Sequence, residues 1–192
     1  MGITGTVRVG NMVKPMHSLL QNFMYLLNAA LQKTVNVNVV DTGNVVRSCG
    51  GWNQTGTQYG WSYNAGVAGV QPAAGISAYG IQVGSNATAV VITDYKLNTQ
   101  IAQGTGAGQM KYSGQSFIGN LSSGNNRFVR ISRYFTNDSG GDVTIREVGL
   151  AVTPQVSYGG PVNVLIARDL TGDIVVSNTN AVPVELTIQI SL

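Results

Sequence analysis

Apolar and polar residues alternate one for one at the end of this sequence. Val182, Val184, Leu186, Ile188, Ile190 and Leu192 hold the even positions, and Pro183, Glu185, Thr187, Gln189 and Ser191 hold the odd ones between them. Successive side chains of a strand point to opposite faces, so this pattern predicts a strand with one face on a core and one toward water. Upstream, residues 128–135 and 143–152 read as two strands. The segment 136–141, Thr-Asn-Asp-Ser-Gly-Gly, has the composition of a hairpin connection with glycine available for positive φ. Residues 162–167 and 174–176 read as two more strands. Residues 81–93 predict the start of a regular sheet domain, with a turn at 84–86 and a buried strand at 89–92.

Periodicity changes near the other end. Residues 1–14 read as extended or loop-like. Pro15 suits the first turn of a helix, where its missing N–H costs nothing. Over residues 16–32, Met16, Leu19, Leu20, Phe23, Leu27, Ala30 and Leu31 recur at spacings of three and four. Ser18, Gln21, Asn22, Tyr25, Asn28 and Gln32 fall on the other side. The expectation is an amphipathic helix whose polar face carries no charge except a protonated His17, so that this face too can be covered. Val35, Val37 and Val39 then alternate with asparagines, residues 41–44 (Asp-Thr-Gly-Asn) signal a turn, and Val45-Val46 resumes a strand. Five or more strands spaced by turn signals predict an all-β fold: an antiparallel, jelly-roll-like β-sandwich with one N-terminal amphipathic helix.

Composition sharpens this picture. The charged fraction is 10%, against roughly 25% for an ordinary soluble domain. No charged residue occurs between Arg47 and Asp94. Residues 49–71 within that gap are rich in glycine, amides and aromatics, and they read as long loops at a contact surface. A surface poor in charge tolerates being covered by neighbours, which predicts an obligate assembly component. The expected organisation is an N-terminal arm with a helix and first strands (1–47), an uncharged interface segment (48–80) and a sandwich (81–192). Expected contact residues are Leu19, Phe23 and Leu27 on the helix, and Trp52, Tyr59, Trp61 and Tyr63 in the uncharged segment. Aromatics are enriched in interface cores. The same aromatics, set among amides, could instead stack on sugar rings.

Candidate chemistry is sparse. His17 is the lone histidine and Cys49 the lone cysteine, and Cys49 stands in a Ser-Cys-Gly-Gly-Trp stretch without a thiol-enzyme signature. Asp138 and Asp142 flank a Gly-containing turn that could hold a hard cation, although a solvated loop tip is the simpler reading. The Gly-rich residues 104–108 lack the Lys-Ser/Thr of a phosphate loop. Arg168-Asp169 reads as a local corner salt bridge or turn cap. Arg127, Arg130, Arg133 and Arg146 read as strand-edge residues paired with Asp138, Asp142 or Glu147, not as a nucleic-acid footprint. We therefore expect no catalytic residues, no cofactor and no metal. We also expect no direct nucleic-acid partner and no membrane insertion.

The run 145–150 (Ile-Arg-Glu-Val-Gly-Leu), then 164–169 (Val-Leu-Ile-Ala-Arg-Asp), then Val182-Pro-Val184 leading into residues 186–190, resembles the C-terminal half of small virion proteins of tailed bacteriophages. Gln82-Val-Gly84, and residues 93–97 (Thr-Asp-Tyr-Lys-Leu) followed by Ile101, fit the same pattern, so the resemblance covers roughly residues 81–192. It implies a β-sandwich with a non-enzymatic structural role in the particle, as capsid decoration, neck or tail component. The implied partners are further copies of itself and other virion proteins, and the implied location is the virion. The rival reading is a receptor- or glycan-binding adhesin, with the aromatic segment meeting a host surface glycan.

Overall fold

Alternation is realised where it is clearest. Val182, Val184 and Leu186 are buried, while Pro183, Glu185, Thr187 and Gln189 between them are more exposed. Burial fades along the strand, and Ile188 is only half-buried. The structure, a computed structural model, describes residues 2–16, 18–31, 37–49, 70–123, 126–156 and 160–191. Among these, twelve strands and one helix follow in the order β1 (Gly2–Val9), β2 (Met12–Pro15), α1 (Gln21–Leu31), β3 (Val37–Val40), β4 (Val46–Cys49), β5 (Gly80–Gly84), β6 (Lys111–Ser123), β7 (Asn126–Thr136), β8 (Val143–Val152), β9 (Gln155–Val156), β10 (Gly160–Pro161), β11 (Val164–Val176) and β12 (Ala181–Ser191). The protein is mostly strand, in antiparallel sheets, with a single short helix among the described residues.

One sheet has five strands in the order β2-β1-β12-β7-β6, and a second has three in the order β11-β8-β5. Two hairpins, β3-β4 and β9-β10, complete the pairing. A single apolar cluster draws on both sheets: Val7, Val9, Ile131, Phe135, Val184 and Leu186 from the larger, and Ile81, Ile145, Val148 and Leu150 from the smaller. Tyr112 of β6 meets Phe135 edge to face, with ring centroids 4.8 Å apart, an arrangement favoured by the ring quadrupoles.

Of the extended or loop-like alternatives for the first residues, the structure shows extended strand at Gly2–Val9 and Met12–Pro15, joined by a turn. β1 pairs with β12 over its whole length, from Gly2 opposite Ser191 to Val9 opposite Val184. Gly10, at φ 57°, turns the chain into β2, a backbone region that glycine enters without strain. Pro15 is consequently in a strand opposite Thr6, and the helix starts later than its periodicity suggests, at Gln21. Residues 18–20 are held in extended contact with β11, where Leu20 N donates to Ile166 O and Arg168 N donates to Ser18 O.

The helix is also rotated from its expected phase. Asn22, expected on the polar side, is buried, and so is Leu26 one turn on. Asn22 Nδ2 donates to the carbonyls of Val40 and Leu165, and its Oδ1 accepts from Val40 N. One amide thus ties the helix to β3 and β11 at once. A buried amide with its bonds made is stable where an unpaired one would be costly. Tyr25, also placed on the polar side by periodicity, packs half-buried against the core.

Three further expectations change. Residues 89–92 are not a buried strand but an exposed loop, with Val91 and Ile92 in solvent. Residues 162–167 and 174–176 belong to one strand, β11, whose pairing with β8 slips between Leu165 and Ala167 and again between Leu170 and Ile174. The 136–141 segment is not a hairpin turn either. β7 and β8 lie in different sheets, so the segment crosses between them. Asn137 explains the crossing. Fully buried, its Nδ2 donates to Gly141 O and Val176 O, and its main chain bonds Thr179 and Asn180. It fastens the β7–β8 crossing to the β11–β12 crossing at one end of the molecule. The β3–β4 hairpin around residues 41–44 stands as expected, with Asp41 Oδ1 accepting from Gly43 N and Val45 N.

Candidate functional site

Three of the sequence segments that stood out, 93–97, 145–150 and 164–169, supply one charged residue each to a single cluster. Glu147 on β8 and Arg168 on β11 have side chains with no exposed surface, and Arg168 Nε donates to Glu147 Oε2 at 2.7 Å. Arg168 Nη1 donates to Asp94 Oδ2, also at 2.7 Å. Its Nη2 donates to Thr88 O at 2.9 Å. Glu147 further accepts from Thr99 N at 2.9 Å and Asn98 N at 3.2 Å, and Asp94 Oδ2 accepts from Val91 N at 3.0 Å. One cation faces two carboxylates, and main-chain N–H groups offset the excess negative charge. Such pairing is what allows charges to sit out of water.

Glycines make room for this arrangement. A Cβ on Gly84 would lie 2.4 Å from Glu147 Oε1, and one on Gly149 would lie 2.8 Å from Leu97 Cδ2. The cluster therefore clamps both limbs of the 85–100 loop onto the outer face of the three-stranded sheet. The side chains of Glu147 and Arg168 lie wholly beneath that cover, while Asp94 keeps a small exposed surface.

A second buried cation, Arg133 on β7, has a different environment. It donates to the carbonyls of Ser113 (2.9 Å), Ile81 (3.1 Å), Tyr79 (3.3 Å) and Ile76, and its guanidinium lies 4.8 Å from the Tyr112 ring centre. Burial pulls its pKa down to about 10.

The expected ion pairs are redistributed accordingly. Arg168 pairs with Glu147 and Asp94, not with its neighbour Asp169, which accepts from the Ser18 hydroxyl. Arg130 pairs with Glu185, Arg146 with Asp173, and Asp138 with Lys111. Asp138 is thus engaged by a lysine, and among the described residues no three His, Cys, Asp or Glu side chains are grouped to hold a metal ion.

The clamped loop ends in an apolar tip. Val91 is 54% exposed and Ile92 67%. Ile92 O accepts from Gln21 N at the start of the helix, and Met24, one turn further, is 57% exposed. Scattered exposed apolar residues are ordinary, whereas here three large ones lie near one another. Of the expected contact residues, Leu19 and Phe23 turn inward and pack against the core, and Leu27 is half-buried. Trp52, Tyr59, Trp61 and Tyr63 lie outside the described residues, as does His17. Met24, Val91 and Ile92 were missed. Their signal was present as large apolar residues inside a stretch without charge, but a run of four apolar residues at 89–92 also imitates a buried strand.

Cys49 is fully buried at the end of β4, and burial pushes its thiol up to about 11. The thiolate is the nucleophile, so native protein should not react with an alkylating reagent at pH 8, while unfolded protein should react fully. Mass spectrometry of pulse-labelled samples reads the difference. Because the folded pKa lies above the ordinary 9.0, this thiol's contribution to stability is complete below pH 9 and is lost as pH rises through about 11.

Fold and site together define an antiparallel, mostly β protein with one ion cluster buried under the 85–100 loop and an exposed apolar tip on that loop. No protein-family model, curated protein or solved structure matches this chain.

Proposed function

We propose that this protein is a non-enzymatic structural component of a tailed-phage virion, assembling in many copies as a capsid-decoration, neck or tail protein. The observation that carries the proposal is the apolar tip formed by Val91 and Ile92 beside Met24. A buried ion cluster fixes a loop that then offers large apolar side chains to solvent. That combination suits a repeated protein contact and has no use in an isolated monomer. The proposal further takes the two sheets as the layers of a jelly-roll-like β-sandwich, an arrangement supported by their common apolar cluster. The resemblance of residues 81–192 to small virion proteins agrees with this role. The segments that carry it are those that build the loop clamp, so on this reading their recurrence reflects architecture.

The test is sedimentation of the chain alone and with particle components. Wild type should form oligomers or enter particles. Val91→Asp with Ile92→Asp should remain folded, with an unchanged melting temperature, and should lose assembly. A chain that stays monomeric at every concentration and never enters a particle would sink the proposal. Intact assembly of the double variant would remove this tip from it.

A further inference from the structure

The outward face of the five-stranded sheet carries a polar cleft that neither the core nor the apolar tip uses. Its volume is about 280 Å³, and it lies over β1, β12 and β7 with the end of β2 at one side. Strand register assembles it. Arg8 stands opposite Glu185, and Thr6 stands opposite Thr187, which in turn stands opposite Arg130. These are the odd positions of β12 and the even positions of β1 and β7, so they share the outer face.

Arg130 is the informative member. It stacks over Phe128, with 5.7 Å from its guanidinium carbon to the ring centre, and its Nε lies 3.2 Å from Glu185 Oε1. That approach is not a hydrogen bond, and Nε is the one buried side-chain polar atom among the described residues that has no hydrogen-bond partner. Phe128 and Glu185 hold the guanidinium in place while its donors stay largely unspent. Arg8 uses only its Nε, which donates to Gly10 O at 3.0 Å. A guanidinium has five N–H donors in a fork that fits a carboxylate.

We propose that this cleft binds an acidic saccharide, with the sugar carboxylate on Arg130 and Arg8 and the ring hydroxyls on Glu185 and Thr187. The lining selects among anions. Glu185 sits between the two arginines, so it repels a ligand that brings only negative charge and welcomes one that also brings hydroxyl donors. A neutral sugar offers the arginine donors only uncharged acceptors. An acidic peptide offers a carboxylate but few hydroxyl donors for Glu185. Exposed Val13 at the cleft edge gives an apolar wall for ring C–H groups. The volume falls just below that of ordinary ligand pockets, which suits one sugar residue and not a long chain. This inference does not depend on the assembly role, since the cleft and the Val91–Ile92 tip use different residues.

The test is an NMR titration of the full chain with glucuronic acid, glucose and a short Asp/Glu peptide. Glucuronic acid should give saturable shifts at cleft residues, and glucose should bind at least about tenfold more weakly, as expected for loss of charge-assisted hydrogen bonds. Binding should weaken as salt rises. Arg130→Gln and Arg8→Gln should each reduce glucuronic acid affinity by about tenfold or more while leaving the melting temperature unchanged. Two variants are used so that a folding defect in one does not decide the matter. Equal responses to glucuronic acid and glucose, or saturation by neither, would overturn the proposal. Saturation by the peptide without saturation by glucuronic acid would also overturn it and reassign the cleft to a protein segment.

Discussion

Glu147→Ala is expected to cost about 3–5 kcal/mol, the range seen when one partner of a buried ion pair is removed. The side chain has no exposed surface and is bonded to Arg168 Nε, Asn98 N and Thr99 N. Its loss strands Arg168 Nε and two main-chain donors together and leaves Asp94 as the guanidinium's one carboxylate partner. Domains of this kind have roughly 5–15 kcal/mol of stability in total, so the variant should unfold near or below physiological temperature. Urea denaturation against wild type measures the loss. The double variant Glu147→Leu with Arg168→Met should lose less than the sum of the single changes. No buried charge then lacks a partner, and Asp94, whose side chain is 16% exposed, can take up water. Double and single variants that proved equally damaging would show that the cluster's shape matters more than its charge.

The second large effect concerns the strand register. Leu186 is buried, standing opposite Val7 on one side and Ile131 on the other. Leu186→Asp should abolish folding, since both residues directly opposite it are apolar and a poorly paired buried charge is among the costliest changes available. Val184 would be a poorer test, because its cross-strand neighbour is Arg133, which could rescue an aspartate. Ile188→Asp should be intermediate, in keeping with its partial burial, and Gln189→Asp on the outer face should be nearly neutral. Circular dichroism on soluble fractions of the three variants gives the order. A Gln189 change as damaging as the Leu186 change would mean the two faces are exchanged.

Legibility in the sequence followed locality. The faces of β12 were readable because their period is local and uninterrupted, and the β3–β4 hairpin because its turn signals itself. β6 was not readable. Its register slips between Tyr112 and Gln115 and again between Ile118 and Leu121, so its alternation never runs long enough to be seen. The pair β1–β2 left a clear trace in Val7 and Val9 around Arg8, followed by Gly10-Asn11, and could have been found. The helix phase went astray because Asn22, polar by type, is satisfied inside by three hydrogen bonds. The ion cluster showed how far residue type alone carries. Asp94, Glu147 and Arg168 each stood in a noticeable segment, but nothing local revealed that they hold one another and not their immediate neighbours. The aromatic segment drew most of the functional reading and falls outside the described residues. The outer-face cleft requires three strands in register, which no single window of sequence contains.

The meeting of β1 with β12 also sets an order of events. β12 is the middle strand of its sheet, with β1 on one side and β7 on the other. Gly2 cannot find Ser191 until almost the whole intervening chain has been made. Contacts so distant in sequence pay their closure entropy before they gain any stability, which slows folding. During synthesis the β1–β2 hairpin must wait with an open edge, and β7 must wait with another. The edge most in need of protection is thus a transient one, present in the nascent chain and erased when β12 slots between the two.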